Sequence, residues 1–409
     1  MDRRNVAREP LSSLYFQDER NGKNPFYPKR INVQPFSPTT VALHPDGESD
    51  GTRVVFTLPR DACDLIGSVS LQVDLPAVSG GQGYVHAPGL SAIRRAKLKI
   101  GGVVVEDIER QFIYLKLKAV STPDQWTCLM ESMGGEAGST KARCCVVPLE
   151  FMARKNTRPR QSFLPMCAFE EPVVVECEIE APDKLLLSGG GELAGGVSFR
   201  LLVEMIAFSE RRHAFDFIDT RSALYFDSVL DMEHLSFRYT DEGDVTHLRE
   251  IKVPLNEINQ PVKYFIVVAY DHDAPRTPSK YFEYLDPVWF ENVDVLVDGR
   301  SALCQSSDTP PKLFTHYTSF RAGDELSCLA FNKSILITHA IHPNSNSFSG
   351  FVDYSIFQEA CLQIKLKPVL GAQRQAKIEK TPFLVKVYAV CANKLTFDPL
   401  APPGLFYAR

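Results

Sequence analysis

Alternation of apolar and acidic residues is sharpest in the stretch VVVECEIE, residues 173–180. Its odd-numbered positions are all apolar, and three of its four even-numbered positions are glutamate. Because successive side chains of a β-strand point to opposite faces, this pattern predicts a strand with one buried face and one face in water. The stretch decides the fold class, because the same period recurs along the chain while helical spacing is rare.

The remaining strand predictions rest on the same period or on short apolar runs between Gly, Pro, Asn and Asp residues. A hairpin is predicted over residues 95–105, because the alternating strand ends at Gly101-Gly102, a turn signal, and three valines follow. A helix is predicted over residues 107–120, where apolar residues such as Phe112 and Leu115 have helical spacing. Further strands are predicted at residues 52–58, 69–75, 144–149, 197–208, 262–270, 293–297, 334–341, 361–366 and 383–390. Many short strands with little helix predict an all-β sandwich or barrel.

The composition of the 409 residues is that of an ordinary globular protein. Hydrophobic residues make up 44% and charged residues 23%, which excludes a disordered chain, a collagen, a coiled coil and a small disulfide scaffold. A formal net charge of −5 argues against a strongly basic nucleic-acid binder. The basic N-terminus leads into no apolar run, and the stretch YFIVVAY, residues 264–270, is far shorter than the roughly 20 residues of a membrane span. We therefore expect a soluble chain made in a reducing compartment, with all ten cysteines as free thiols.

Three groups of residues resemble reactive or metal sites, and we interpret each of them as structural. Asp271-His272-Asp273 follows an apolar strand and precedes a proline, which indicates a solvated turn. His339 and His342 lie three residues apart on a predicted strand, where their side chains diverge. The adjacent Cys144-Cys145 point to opposite faces of a strand and cannot share one ion. We predict no catalytic, cofactor-binding or metal-binding residues.

Several polar segments can be interpreted either as ordinary surface structure or as functional sites. Ser188–Gly196 is glycine-rich but lacks the lysine and helix of a phosphate loop, so we interpret it as a hairpin tip. The basic loop with Arg154, Lys155, Arg158 and Arg160 is either solvated or in contact with an acidic neighbour or an anionic inner layer. The sequon at Asn332 lies at a strand entry, where we do not expect modification.

Two halves are visible in the sequence, divided near residues 209–217. In each half a strand ends in a glycine turn, at KLKIGG (residues 97–102) and at DVLVDG (residues 294–299). The two turns lie 197 residues apart, which is about half of the chain and favours an internal duplication.

Six segments resemble the double jelly-roll major capsid proteins of the nucleocytoplasmic large DNA viruses, a lineage shared with adenoviruses and tailless phages. They are Ile93–Gly102, Pro148–Phe151 with Phe163–Phe169, Ser209–Phe215, Pro254–Lys263, His342-Pro343 with Ser349–Ser355, and Val387–Ala389 with Asn393, Leu395 and Gly404–Tyr407. The resemblance runs from about Asn24 to Tyr407. The sequence departs from the family pattern at Gln260, where the family has histidine, and at Phe348, where it has proline.

The resemblance implies two consecutive eight-stranded jelly-roll sandwiches with few short helices: an N-terminal arm at residues 1–30, a first jelly roll at 31–210, and a second jelly roll with a C-terminal tail at 211–409. It implies a non-enzymatic major capsid protein that forms a homotrimer and tiles an icosahedral virion shell after synthesis in the host cell. Its implied partners are neighbouring capsomers, minor capsid and penton proteins, and an internal membrane or its proteins near the basic arm. Direct sequence-specific binding to nucleic acid is not implied. Aromatic residues in loop-like sequence, among them Tyr281-Phe282 and Tyr284, are predicted to form contacts between subunits.

Two alternatives stay open at this point. One is a related scaffold or minor capsid protein. The other, from a different class, is a carbohydrate-binding or carbohydrate-processing pair of β-sandwiches. That alternative requires converging carboxylates, for which the sequence offers no obvious pair.

Overall fold

The computed structural model describes residues 13–16, 29–32, 36–47, 51–81, 83–151, 163–187, 191–209, 223–238, 250–274, 277–285, 290–302, 333–340, 343, 350–366, 381–398 and 401–405. Over these residues the chain consists of β-strands with few helices, which confirms the predicted all-β class.

The elements of the first half run from the N-terminus to residue 208. Its strands are β1 (Ser13–Phe16), β2 (Lys29–Asn32), β3 (Phe36–Leu43), β4 (Arg53–Thr57), β5 (Leu65–Leu75), β6 (Val78–Ser79), β7 (Ile93–Ile100), β8 (Val103–Glu109), β9 (Arg143–Leu149), β10 (Leu164–Pro165), β11 (Val173–Ile179), β12 (Glu192–Leu193) and β13 (Ser198–Phe208). Its helices are α1 (Pro88–Ser91), α2 (Arg110–Val120) and α3 (Pro123–Ser132), with short 3-10 turns at Met166–Ala168 and Pro182–Leu185.

The elements of the second half follow from residue 223. Its strands are β14 (Ala223–Arg238), β15 (Glu250–Pro254), β16 (Val262–Asp271), β17 (Phe290–Val297), β18 (Arg300–Ser301), β19 (Ser334–Thr338), β20 (Ala360–Leu366), β21 (Thr381–Asp398) and β22 (Ala401–Leu405). Short 3-10 turns lie at Pro278–Lys280 and Tyr354–Ile356.

Both halves repeat one strand order. In the first half, sheet 1 has the order β3-β13-β5-β9, with β10 also pairing with β5, and sheet 2 has the order β4-β11-β7-β8. In the second half, sheet 3 has the order β14-β21-β16-β19, with β22 added to β21, and sheet 4 has the order β15-β20-β17-β18. When the eight main strands of each half are counted in chain order, one sheet is 1-8-3-6 and the other is 2-7-4-5. This double-sheet arrangement is a jelly roll, and the chain contains two of them.

The glycine turns that marked the two halves occupy the same position in both jelly rolls, between the fourth and fifth strands. Gly101 and Gly102 have φ values of 56° and 80°, and Asp298 and Gly299 have φ values of 47° and 75°. Two positive φ values in succession are what a two-residue type I′ hairpin requires. The predicted hairpin at residues 95–105 is thereby confirmed, and the local turn geometry supports the duplication.

All the predicted strands overlap observed ones, but several predicted boundaries were wrong; for example, the strand predicted at 383–390 runs from Thr381 to Asp398. The helix predicted over residues 107–120 starts at Arg110, because residues 107–109 continue β8 in register with β7. The strand predicted over residues 334–341 ends at Thr338. The predicted boundaries at residues 30 and 210 stay predictions, since both adjoin residues outside the described ranges.

The polar face predicted for residues 173–180 is only partly in water. Glu176 and Glu180 are buried, while Glu178 is half-buried. Lys99, on the neighbouring strand β7, places its Nζ 2.7 Å from Glu176 Oε2. Cations from adjacent elements cover these carboxylates. The alternating glutamates, which predicted a solvent-exposed face, therefore form ion pairs on the surface of sheet 2.

Strand β16, in the middle of sheet 3, is buried on both of its faces. In β16 every residue from Val262 to Tyr270 is buried. The odd-numbered side chains, such as Phe265 and Val267, point into the core of the second jelly roll. The even-numbered ones, such as Tyr264 and Ile266, belong to the hydrophobic cluster of the first jelly roll. The side chains of β16 are therefore largely apolar on both faces, which explains why this run lacks the alternation seen elsewhere.

Candidate functional site: the contact between the jelly rolls

Helix α2 forms the centre of the contact between the two halves. It begins where β8 ends, and nearly all of its residues are buried, which is typical of a helix enclosed by packing on all sides. The Phe112 ring lies 5.5 Å from the Tyr388 ring, measured between centroids. On the same outer face of sheet 3, Lys116 donates a hydrogen bond to the Tyr264 hydroxyl at 2.8 Å. The helix thus covers the apolar face that sheet 3 cannot bury alone.

A cluster of charges built around the buried Lys386 and Glu109 lies at the start of this helix. Lys386 of β21 places its Nζ 2.6 Å from Glu109 Oε2, 2.7 Å from Glu233 Oε1 and 3.6 Å from Asp231 Oδ2. The Tyr388 hydroxyl donates a further hydrogen bond to Glu109. We call Lys386, Glu109, Glu233 and Asp231 the charge cluster; it joins the last residue of β8 in the first half to β14 and β21 in the second.

Arg95 extends the charge cluster toward sheet 2. Its Nη2 donates to Asp231 Oδ1 at 2.9 Å, and its Nε donates to Asp107 Oδ1 at 3.0 Å. Burial alone would lower the pKa of Lys386, but the adjacent Glu109 carboxylate outweighs it, so the pKa of Lys386 is raised. The lysine is therefore held in its charged form, and the cluster acts as an ionic tie between the halves.

A second tie is built on Arg110, the first residue of α2. Its guanidinium donates to the Ser91 carbonyl oxygen at 3.0 Å and to Glu180 Oε1 at 3.2 Å. The same guanidinium stacks over the Tyr281 ring, 3.6 Å from its centroid. A cation over an aromatic face is attractive, and more so where water is excluded. Arg110 thus connects helix α1 and the end of β11 in the first jelly roll to a loop of the second.

Aromatic rings complete the contact. Phe282 stacks on Tyr114 of α2, with their centroids 4.5 Å apart, and Trp126 of α3 meets Tyr114 edge-on at 5.0 Å. Tyr284 packs against Tyr270 at 5.0 Å. Aromatic residues of this loop were predicted to lie between subunits; the structure instead places them between the two halves of one chain.

A polar cavity of about 180 Å³ lies beside the charge cluster. Its charged lining residues are Arg94, Arg95, Arg110, Lys386, Glu109 and Glu233. Each of these cations is already paired with a carboxylate at 3.4 Å or less. The arrangement is suited to holding two domains together rather than to binding an added ion.

Sequence reasoning missed the charge cluster. Lys386 alternates with Val385 and Val387, which indicates a residue that points into water. The overlooked signal is that Tyr388 and Val390 share its face of the strand, so that face is not polar. The position of Glu109 at the end of a strand was not predicted, because residues 107–109 were assigned to a helix.

The structure places Asp271-His272-Asp273 at the end of β16, in a turn. Asp271 and Asp273 are exposed, and His272 Nδ1 lies 3.1 Å from Asp273 Oδ1. The residues on either side belong to the core, because Tyr270 and Ala274 are both buried. The position corresponds to the solvated turn expected from the sequence.

Changing Asp271, His272 and Asp273 together to alanine is expected to leave stability nearly unchanged. Exposed substitutions away from special contacts usually alter the free energy of unfolding by within about 0.5 kcal/mol each. The thermal midpoint of the purified triple variant should be compared with that of the wild type. A hydrolase activity of the wild type that this variant lacks would contradict the structural interpretation.

His339 is half-buried directly after β19. The Tyr354 hydroxyl lies 2.8 Å from His339 Nε2, and burial lowers the pKa of His339 to about 4. His342 lies outside the described residues. Among the residues that are described, no group of three or more His, Cys, Asp or Glu side chains is placed to hold a metal ion.

The remaining sequence candidates are placed only in part. Cys144 is exposed and Cys145 is buried, as expected for neighbours on a strand, and none of the eight described cysteines forms a disulfide. The basic residues Arg154 to Arg160, the sequon residue Asn332 and residues 188–190 lie outside the described ranges. In the described part of the chain, none of the helices is both long and apolar enough to span a membrane.

Solved structures with the same architecture come from virus capsids. PBCV-1 VP54, a crystal structure fitted into a cryo-EM reconstruction of the virophage Sputnik, matches with a TM-score of 0.69 and 14% identity, over 94% of this chain and 100% of that chain. The quasi-atomic PBCV-1 capsid matches with a TM-score of 0.68 and 15% identity, over 94% and 100%. The Faustovirus major capsid protein matches with a TM-score of 0.65 and 10% identity, over 92% of each chain.

Comparison at the level of sequence gives a different result: no protein-family profile matches the chain, and no curated protein matches it. At identities of 10–15% the structural likeness shows the fold, which is the double jelly roll of these capsid proteins.

Proposed function

We infer that this chain is a major capsid protein, three copies of which form a six-sided capsomer of an icosahedral virion. The observation that carries the proposal is the repeated strand order 1-8-3-6 and 2-7-4-5 in two jelly rolls, matched over nearly the whole length of solved capsid proteins. Two similar domains per chain give six domains in a trimer, which is the outline needed to tile a hexagonal lattice.

The contact between the jelly rolls supports this structural role. A shell subunit has to hold its two domains in a fixed relation, and α2, the charge cluster and the aromatic rings join them through buried contacts of three kinds. The protein acts through shape and contact, and we propose no catalytic step, no cofactor and no direct sequence-specific recognition of nucleic acid for it.

The proposed partners follow from the capsid role. They are two further copies of the chain, neighbouring capsomers, minor capsid and penton proteins, and an internal membrane or its proteins at the inner face. The proposed location is the virion shell, after synthesis in the host cell.

Mass photometry of the purified chain tests the proposal. A trimer of about 137 kDa, three times 45.8 kDa, is expected at micromolar concentration, because rings close through head-to-tail contacts. Negative-stain images should show six-sided particles. A monomer or a twofold dimer in both measurements would contradict the proposed capsomer. It would favour the alternative of a carbohydrate-binding or carbohydrate-processing pair of β-sandwiches.

A further inference from the structure

Two loops lie side by side at one end of the first jelly roll. The loop from β4 to β5 passes from sheet 2 to sheet 1, and the segment from β10 to β11 leads back to sheet 2. Backbone hydrogen bonds join them at both ends of the contact: the Leu58 N–H donates to the Val173 carbonyl oxygen, and the Met166 N–H donates to the Asp64 carbonyl oxygen, each at 2.9 Å. The backbone therefore fixes the position of one loop relative to the other.

Each of these loops carries one cysteine. Strand β10 pairs with β5 in an antiparallel register that sets Pro165 opposite Leu65. When this register is continued by two residues, Cys167 lies opposite Cys63. The Cα atoms of facing residues in an antiparallel pair are about 4.5–5.5 Å apart, and a disulfide joins Cα atoms about 4.4–6.8 Å apart. The register thus predicts a separation that a disulfide can span.

Both sulfur atoms lie against the same loop. The chain enters a 3-10 turn at Met166–Ala168, and the Cys167 Sγ still lies 3.9 Å from the Asp64 carbonyl oxygen. The Cys63 Sγ lies 3.7 Å from the Pro59 carbonyl oxygen. Burial raises the pKa of the Cys63 thiol to about 11, and the charges of Asp64 and Cys167 act in the same direction. The two thiols are therefore close enough to influence each other electrostatically.

Asp64, the neighbour of Cys63 in the chain, holds its loop in place. Its backbone N–H donates to the Ile206 carbonyl oxygen at 3.0 Å, and its carboxylate Oδ2 accepts from the Phe208 N–H at 2.8 Å. Both partners belong to β13, in the middle of sheet 1. Because the backbone beside Cys63 is fixed, a bond to Cys167 can close mainly by rotation of the two side chains between staggered rotamers.

The other described cysteines on strands face different residue types on the strands that pair with them. They are Cys144, Cys145, Cys177, Cys361 and Cys391. Cys144 lies opposite Asp74, for example, and Cys177 lies opposite Ala96. The register therefore singles out Cys63 and Cys167 as a facing pair among the cysteines of the described strands and their continuations.

We propose that Cys63 and Cys167 are a redox pair, reduced when the chain is made and oxidised to a disulfide by a small-molecule disulfide of the glutathione type after the protein leaves that compartment. In the structure neither residue forms a disulfide. The bond joins the two loops where they cross between sheet 1 and sheet 2, and so fastens that end of the sandwich. The proposal goes beyond the proposed function and does not depend on it.

The order of the two reactions follows from exposure. Cys167 is half-buried and Cys63 is buried, so Cys167 meets the small disulfide first. The Cys167 thiol gives up its proton, its sulfur attacks one sulfur of the small disulfide, and the other half leaves as a thiolate that takes up a proton. The Cys63 thiol then gives up its proton, its sulfur attacks the Cys167 sulfur, and the second small thiol leaves with a proton. Two protein thiols are oxidised, and one small disulfide is reduced to two thiols.

Oxidation of the full chain with excess oxidised glutathione tests the proposal. Peptide mapping by mass spectrometry without reduction should find the peptides of Cys63 and Cys167 joined, and dithiothreitol should separate them. The two cysteines are 104 residues apart in the chain. A link across so long a loop restricts the unfolded chain, so the melting temperature should rise by about 5 °C on oxidation.

Two variants show whether the rise in melting temperature comes from this pair. Cys167→Ser should abolish both the joined peptide and the rise. Cys144→Ser, the matched control, removes an exposed thiol outside the pair and should keep both. The proposal is overturned if Cys63 of the oxidised wild type remains open to alkylation after denaturation, or if it is joined to a cysteine other than Cys167. The mapping uses the unmodified protein, so it decides the question even where Cys167→Ser does not fold.

Discussion

Replacing Lys386 with methionine is expected to lower the free energy of unfolding by about 3–5 kcal/mol, the usual cost of removing one partner from a buried ion pair. The side chain of Lys386 is only 8% exposed, and that of Glu109 is 11% exposed. Methionine fills the space of the lysine stem but leaves the Glu109 carboxyl in the contact without its lysine partner, with only its hydrogen bond from Tyr388. Urea unfolding of wild type and variant at one protein concentration measures the difference.

Two further variants show that the loss arises from burial of the charge. Lys97→Met removes a cation from the more exposed pair with Glu178, where the expected loss is about 0–1 kcal/mol. The double variant Lys386→Met with Glu109→Gln removes both charges and should recover part of the stability lost in the single variant. A loss for Lys386→Met no larger than that for Lys97→Met would show that the charge cluster does not tie the halves together.

Acidification from pH 7 to pH 5 is expected to cost about 2 kcal/mol of stability through His339 alone. The pKa of His339 is lowered by burial to about 4, against 6.5 for the unfolded side chain. The unfolded state therefore binds a proton that the folded state does not. The contribution of His339 is fully present above pH 6.5, declines as the pH falls, and levels off below about pH 4.

The variant His339→Gln isolates this contribution. Glutamine does not titrate, and its amide keeps a polar partner for the Tyr354 hydroxyl. The free energy of unfolding of this variant should fall by about 2 kcal/mol less than that of the wild type between pH 7 and pH 5. His272→Gln, on the surface turn, serves as control and should keep the wild-type pH dependence. Parallel pH curves for wild type and His339→Gln would contradict the expectation.

Local patterns predicted the strands because apolar and polar residues alternate with a period of two along a half-buried strand. The hairpin at Gly101-Gly102 was predictable for a similar reason, since two successive positive φ values select glycine. Helix α3 was missed although it carries a signal: Thr122 and Gln125 form a reciprocal capping box at its start. A search for Thr or Ser followed three residues later by Gln or Glu would have found it.

The contact between the jelly rolls was beyond prediction from local patterns. Glu109 and Lys386 are 277 residues apart, and nothing in either neighbourhood indicates the other. The aromatic residues Tyr281, Phe282 and Tyr284 were recognised as interface residues, but the sequence does not say whether such an interface lies within one chain or between chains. Long-range pairing of this kind depends on how two folded domains meet, which the period of a strand does not encode.

The apolar outer face of sheet 3 also bears on how the protein is made. A ribosome releases the first jelly roll and helix α2 before any strand of the second has been synthesised, and domains generally fold as units in that order. The helix that must cover Tyr264 and Ile266 is thus already in place when these residues leave the exit tunnel. The order of the two domains along the chain therefore lets the first domain act as a template for the second, so that the apolar residues of β16 meet a folded partner as soon as they are synthesised.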